Sequence, residues 1–493
     1  MTKRKRFAFI FILGIFFVTT SVFTVLYSMG WRFDLKNFRF KPTGIFYFKV
    51  YPKNVKIFLN NKEKAKTDFL FGSAMIENLT PGKYKVEIKK QGYHTWKKTL
   101  EIKERMPTEA KNIVLFSKDP EFKSLFSKSK QVFFSENREK VIIKEESEDK
   151  EKWELKLFDL NRLIKSHLLS SKDLELNLKK FFSYQRKIYL ADLKFGPDQK
   201  RILIKTEIRN KSNNSLFSEK YFLINIENTP PQITSLDFLE KPEIKIEKID
   251  FNPFNKEKLL ILYQNVSSNK KSLQKSKKLS EADITKEKIL PPVAEKIIDY
   301  SFFEDNFYQF DESGIVFKSD INLSKKEQIT PSPFPLKKNF SYQITASKTT
   351  FFIKEDNSLY FFNPKTKKFQ QIEEPINLWA LSNDLSKIIY NSGNKIYLFF
   401  LQEKKDPPFK KAHEKVLILE SDKKINQIVW LNDYYFLFEE NGNIKIGETD
   451  FRDKINIIQI ADFKNPEIIW DKNKKVLYVF SENTLFVSKK LLP

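Results

Sequence analysis

Side chains able to carry acid, base or metal chemistry are few. His94, His167 and His413 are the only histidines, and there is no cysteine. A zinc site draws on imidazoles or thiolates at a spacing such as His-x-x-x-His, and none of the three histidines has a second histidine or a carboxylate so placed. Nucleophile elbows, Walker loops and dinucleotide fingerprints are absent, and 11 glycines leave little backbone for a phosphate cradle. Oxygen-rich stretches at Asp356, Asn383 and Glu440 suggest calcium, but the spacing of an EF-hand loop is missing and the same residues suit tight turns. No metal and no cofactor are therefore expected. What remains is a set of carboxylates gathered from distant segments, and only a fold could bring them together.

The element that places the chain is Phe7 to Tyr27, which contains no charged residue and follows Lys3, Arg4, Lys5 and Arg6. At about 1.5 Å per residue such a helix reaches roughly 30 Å, the thickness of a bilayer's hydrocarbon core. The four basic residues ahead of it, against a mixed flank of Arg32, Asp34 and Lys36, put the N-terminus in the cytoplasm by the positive-inside rule. A cleaved secretory signal is the alternative, although its apolar run is normally about 7 to 15 residues. Either reading exports the remainder. Six residues before the helix leave nothing to signal inward with, which weighs against a sensor.

A chain of 493 residues is long enough for two or three domains, and 49 Phe with 18 Tyr supply ample material for burial. The net charge of +25 draws an exported body towards anionic polymers or lipid headgroups, unless it reflects only compositional drift. Its basic residues are interleaved with acids along the whole length, whereas a nucleic-acid footprint clusters on one stripe. No nucleic-acid partner is expected.

After a juxtamembrane segment (28–42), residues 43–116 read as a compact β-unit. Val55, Ile57 and Leu59 alternate with polar neighbours and run into Asn60-Asn61, which suits a tight hairpin. Tyr84, Val86 and Ile88 alternate with Lys83, Lys85, Glu87 and Lys89, and Thr80-Pro81-Gly82-Lys83 supplies the turn before them. Trp96, Leu100 and Ile102 continue the pattern, with Lys98 as an exception. The stretches from Val55 to Lys62, Asn78 to Val86 and Lys90 to Tyr93, followed by Trp96, resemble the PEGA domain, a small β-sandwich of bacterial and archaeal surface proteins. The sequence departs from that family at Asn61, where Gly is usual, and at Thr67-Asp68, where Thr-Pro is common, and the letters that name the family do not follow Leu79. The resemblance implies an envelope module without catalytic residues. Tyr84, Tyr93 and Trp96 suit either an aromatic binding surface or the sandwich core.

Residues 117–130 read as a solvated linker. From 131 to 493 a unit recurs: an apolar strand end, a polar turn and a second apolar strand. Its clearest copies begin at Leu193, Ile249 and Leu378, others near Ile428 and Ile468, and weaker ones near Val132, Ile298 and Tyr342. Spacings of roughly 35 to 60 residues approach the 40 to 50 of a four-stranded propeller blade. The pattern resembles TolB-type and WD-repeat-like propellers, with Phe195, Phe251, Trp379, Trp430 and Trp470 in the place of the blade aromatic. Two stretches interrupt it: Asn161 to Lys180, read as a short helix or loop insertion, and Val266 to Lys288, read as a mobile polar excursion.

The expected protein is thus all-β with one N-terminal transmembrane helix, a small PEGA-like sandwich and a seven- or eight-bladed propeller, with an irregular β-sandwich array as the alternative for the tail. The expected function is a single-pass, non-enzymatic binding or scaffolding protein of the cell envelope, with an anionic cell-wall polymer or an envelope protein as partner. The alternative is an extracytoplasmic propeller hydrolase or lyase, which needs ionisable groups converging on the channel mouth.

Overall fold

The computed structural model describes residues 3–34, 38–146, 152–178, 186–266, 273–320, 323 and 325–493. Its chain begins with α1 (Lys3–Ser28), in which the segment from Arg6 to Ser28 is long and apolar enough to cross a membrane and is not buried by the rest of the protein. Hydroxyls within it donate to carbonyls one turn back: Thr19 to Ile15, Thr20 to Phe16 and Thr24 to Thr20. These polar groups are satisfied inside the helix, as a lipid environment demands. A hairpin follows, β1 (Trp31–Asp34) and β2 (Arg39–Pro42).

Seven strands then build a sandwich: β3 (Gly44–Tyr51), β4 (Lys56–Leu59), β5 (Lys62–Lys66), β6 (Ser73–Leu79), β7 (Gly82–Lys89), β8 (Trp96–Ile102) and β9 (Pro107–Val114). One sheet runs β6-β3-β9, with β3 and β9 parallel, and the other runs β5-β4-β7-β8. Asn60 and Asn61 take φ of 49° and 67° in the β4–β5 turn, where asparagine tolerates the left-handed region. The alternating residues Phe46, Phe48, Val50, Ile57, Leu59, Val86, Ile88, Leu100 and Ile102 meet as one core between the sheets.

Beyond it, eight four-stranded antiparallel sheets make up the blades of a β-propeller among the described residues. Seven take consecutive strands, spanning 131–170, 186–235, 244–295, 297–328, 342–373, 378–420 and 425–462. The eighth combines Glu467–Asp471, Val476–Ser481 and Thr484–Ser488 with β10 (Phe122–Phe126). Each of the eight sequence anchors lies in the first strand of a blade. The second strand of every blade carries at least three consecutive buried residues, such as Val141–Ile143, Leu259–Tyr263 and Phe436–Phe438. A strand packed on both faces needs this continuous run rather than alternation. By backbone packing the chain divides into one compact unit of residues 1–123, 378–479 and 486–493 and another of 124–377 and 480–485.

Four details differ from the sequence reading. The supposed linker contains β10, whose Phe122 packs edge-on against Phe463 at 5.2 Å. Ile164–Ser170 is the outer strand of the first blade, so the helix after it, α2, is confined to Ser171–Asn177; Lys180 lies outside the described residues. The Lys- and Ser-rich stretch after 266 forms the strand Leu273–Asp283, with residues 267–272 outside the described set. There Leu279 and Ala282 are buried, while Lys277 and Lys278 pair with Glu247 at 2.6 Å and Glu295 at 2.8 Å. Ile164–Ser170 is the fourth strand of its blade and Leu273–Asp283 the third, and each mixes a few buried apolar residues with Lys and Ser, which is why both stretches look like loops. Finally, Leu381 rather than Trp379 is in register with Phe195 and Phe251. The residue after each of the three opens the hairpin, in the bonds Gly196 N to Arg201 O, Asn252 N to Lys258 O and Ser382 N to Lys387 O.

One glycine tests the tightness of this packing. Gly314 has φ of 82°, and a Cβ there would lie 2.3 Å from the Phe334 carbonyl oxygen. Gly314→Ala should destabilise the propeller by about 1–3 kcal/mol, read as a lowered denaturant midpoint with an unchanged slope.

Candidate functional site

The exception noted at Lys98 is the entry point to the site. Strand β8 alternates inward and outward, and Lys98 points inward with Trp96 and Leu100, its side chain wholly buried. An ammonium there must have a partner. It is Glu448, at the end of the strand Asn443–Glu448 in the seventh blade, 2.6 Å away and itself nearly inaccessible. The same carboxylate accepts from Trp96 Nε1 at 2.7 Å and from Asn456 N and Nδ2 at 3.0 and 2.8 Å.

The residues after Glu448 close the edges of both sandwich sheets. On β8, Thr99 N donates to Asp453 Oδ2 at 2.6 Å, and Lys97 exchanges bonds with Asn456 at 3.2 and 2.9 Å. Side chains thus take the place of a neighbouring strand on an edge that would otherwise expose its amides. On β9, Arg452 Nη1 donates to Glu109 O at 2.6 Å, and Val114 N donates to the Tyr435 hydroxyl at 2.9 Å. Burial pushes the Asp450 carboxyl up, but the Arg452 hydrogen bonds and the Lys98 charge outweigh it and hold the group below its ordinary value. Burial, then the charges of Glu448 and Asp450, push the Tyr435 phenol well up.

Beside this seam lies a cleft of about 370 Å³, lined among others by Lys111, Asn112, Asp384, Lys404, Tyr434 and Arg452. Tyr434 is 47% exposed and offers a ring face; burial, then the nearby carboxylates of Asp433, Asp384 and Asp406, push its phenol up. Lys404 donates to Asp406 O at 2.6 Å, and burial pushes its ammonium down despite the carboxylates of Asp406 and Asp450. The combination of hydrogen-bond donors and an aromatic face suits a polar ligand.

The sequence-proposed aromatic residues take different places. Trp96 is buried at 4% exposure in the seam, while Tyr84 and Tyr93 are half-buried and pack against the sandwich core. The Tyr84 hydroxyl donates to Thr80 O at 2.8 Å. Lys3, Arg4, Lys5 and Arg6 fall in the first turn of α1, with Arg4 and Arg6 exposed. The histidines are far apart in role: His94 borders the seam, His167 lies in the exposed outer strand of the first blade, and His413 stacks on Phe399. Asp356 caps Ser341 N at 2.9 Å, as a turn residue does. Among the described residues no group of three His, Asp or Glu is placed to hold a metal ion.

Acids do gather on the inner strands of the second unit, where an enzyme reading would look for them. Asp250 meets Lys194 at 2.7 Å and the Tyr300 hydroxyl at 2.7 Å. Asp299 meets Lys248 at 3.0 Å and Ile344 N at 3.0 Å. Each carboxylate joins one blade to the next. Burial pushes Asp250 up, but Lys194 and Tyr300 outweigh it and hold it ionised, while burial and Asp250 push the Tyr300 phenol well up. Neither is poised to exchange a proton near neutrality.

No family model matches the chain, and no curated protein matches it. Solved structures do. The propeller domain of Cps50 (Swd1) from Myceliophteria thermophila aligns over 74% of this chain and 97% of its own, with 9% identity and a TM-score of 0.34. An oligogalacturonate lyase in complex with manganese aligns over 76% and 92%, with 10% identity and a TM-score of 0.36. A prolyl endopeptidase aligns over 72% of this chain and 54% of its own, with 10% identity and a TM-score of 0.40. These likenesses extend to fold at most, and enzymes stand among them beside a protein named only as a propeller domain. The propeller assignment rests on the eight sheets.

Two outcomes follow for the seam. Lys98→Ala should cost roughly 3–5 kcal/mol, because it leaves the Glu448 carboxylate buried without its cation, and Lys98→Met combined with Glu448→Gln, which removes the charge but keeps an acceptor for Trp96 and Asn456, should recover part of the loss in a denaturant titration. Stability should also fall with acid in two stages. Burial, reinforced by Lys118, depresses the His94 imidazole, so stability declines as pH drops below its ordinary 6.5. The depressed Asp450 contributes above its ordinary 3.8, and that contribution is lost as pH falls through its lower folded value. His94→Leu should remove only the upper stage of the thermal-midpoint profile.

Proposed function

We propose that the chain is a single-pass envelope protein whose propeller and sandwich together present a binding surface outside the cell, without catalysis. The helix supplies the anchor, and the basic residues ahead of it favour a cytoplasmic N-terminus. The sandwich, read as a PEGA-like module, follows the anchor in the chain and docks on the seventh blade.

The observation that carries this reading is the cleft at the seam. Sandwich and seventh blade are joined by a buried ion pair, so the open feature beside them is a preformed polar recess with Tyr434 and Lys404 on its wall. Meanwhile the inner-strand carboxylates Asp250 and Asp299 are each occupied by a lysine. The partner class we infer is an anionic envelope polymer, drawn by the net charge of +25 on the whole chain, with Lys111, Lys404 and Arg452 as its contacts in a cleft of mixed charge that also holds Asp384, Asp406 and Asp450.

Full-length protein in nanodiscs should therefore retain anionic cell-wall polymer in a pull-down, with binding falling steeply as salt rises. Lys404→Ala and Tyr434→Ala should each weaken retention about tenfold or less while leaving the thermal midpoint unchanged. Binding that is indifferent to salt and to both substitutions would reject the cleft as the site.

A further inference from the structure

Helix α1 does not end as a bare stalk. Phe23 stands five residues before its end at Ser28, about 7 Å inside at 1.5 Å per residue. The β1–β2 hairpin packs onto that ring. Phe40 lies 5.4 Å from it and Phe33 lies 6.3 Å from it, centroid to centroid. Phe33 and Phe40 are register partners across the hairpin, 5.1 Å apart, and Phe38 adds a third ring 6.3 Å from Phe33. Yet this aromatic group is open to its surroundings, with Phe38 80% and Phe33 39% exposed.

The polar side chains of the same hairpin are arranged around it. Arg32 donates to Tyr27 O at 2.8 Å and lies 3.5 Å over the Tyr27 ring, which holds its charge at the helix terminus. Lys41 pairs with Asp34, and Arg39 is exposed. The hairpin is also fixed to the sandwich, through Thr43 N to Gly30 O at 2.8 Å and Arg105 N to Thr43 O at 2.9 Å.

If Phe23 is in lipid, rings packed on it are at the same depth or just above it. We propose that the hairpin is a membrane foot: Phe33, Phe38 and Phe40 lie in the acyl–headgroup zone of the bilayer that holds α1, and Arg39 lies at its phosphates. Aromatic residues favour that zone, and arginine extends from it towards anionic headgroups. The occupant of the exposed face is phospholipid, since the face is continuous with the lipid-facing surface of the helix. The consequence is a body that cannot swivel freely on its anchor. This rests on the reading of α1 as a membrane span, and the test separates the two.

The absence of cysteine permits clean single-site labelling. Phe38→Cys, Val18→Cys and Phe409→Cys would each carry an environment-sensitive NBD probe in full-length protein, reconstituted into vesicles of phosphatidylcholine and phosphatidylglycerol. Phe409, 67% exposed on the sixth blade, is the aqueous reference. The Phe38 probe should emit to the blue of the Phe409 probe and be quenched by shallow spin-labelled lipid, with the Val18 probe quenched by deep spin label. If Val18 is quenched while Phe38 matches Phe409, the foot is wrong and the span survives. If Val18 escapes quenching, the span falls and the foot with it.

Discussion

The architecture around the site depends on one desolvated carboxylate. Glu448 collects Lys98, Trp96 and Asn456, and the chain that leaves it covers the free edges of both sandwich sheets. A sandwich of some 70 residues buries a modest core, and its open edges would be sites of aggregation. Joining it to a blade answers both problems, at the cost of burying two charges whose desolvation only their mutual geometry offsets. Such a pair fixes orientation: a hydrophobic seam could slide, whereas an ammonium held by the Glu448 carboxylate and the Asp450 carbonyl cannot.

The same device recurs within the propeller. Lys194 with Asp250 and Lys248 with Asp299 link successive inner strands, and indole donors such as Trp430 Nε1 to Ala380 O and Trp470 Nε1 to Leu431 O link neighbours in the other unit. Blades otherwise meet through interchangeable apolar faces. Directional polar contacts at the innermost strands select one stacking register, with Asp250 and Asp299 each committed to a lysine of the preceding blade.

Much of this was legible in the residues, for a physical reason. A second strand packed on both faces must be an unbroken apolar run, so all eight blades announced themselves through their first two strands. Strands beyond the first two were harder to read: β10 and Ile164–Ser170, at the outer edges of their sheets, and Leu273–Asp283, third in its sheet, carry Lys and Ser among their apolar residues, which is also the composition of loops. The partners of the seam were not legible at all, since Glu448 is some 350 residues from Lys98. One trace was present. Lys98 broke the alternation of its strand, and a charged residue at an inward position is either an error of register or half of a buried pair.

The most direct test of the seam is amide hydrogen exchange at Lys97 and Thr99, the two β8 amides covered only by side chains of Asn456 and Asp453. If blade and sandwich form one cooperative unit, both amides should exchange as slowly as Leu437 in the core of the seventh blade, and Asp453→Ala should release Thr99 first. Rapid exchange of both, with Leu437 still protected, would mean that the sandwich is merely tethered beside the propeller and that the buried pair does not hold them together.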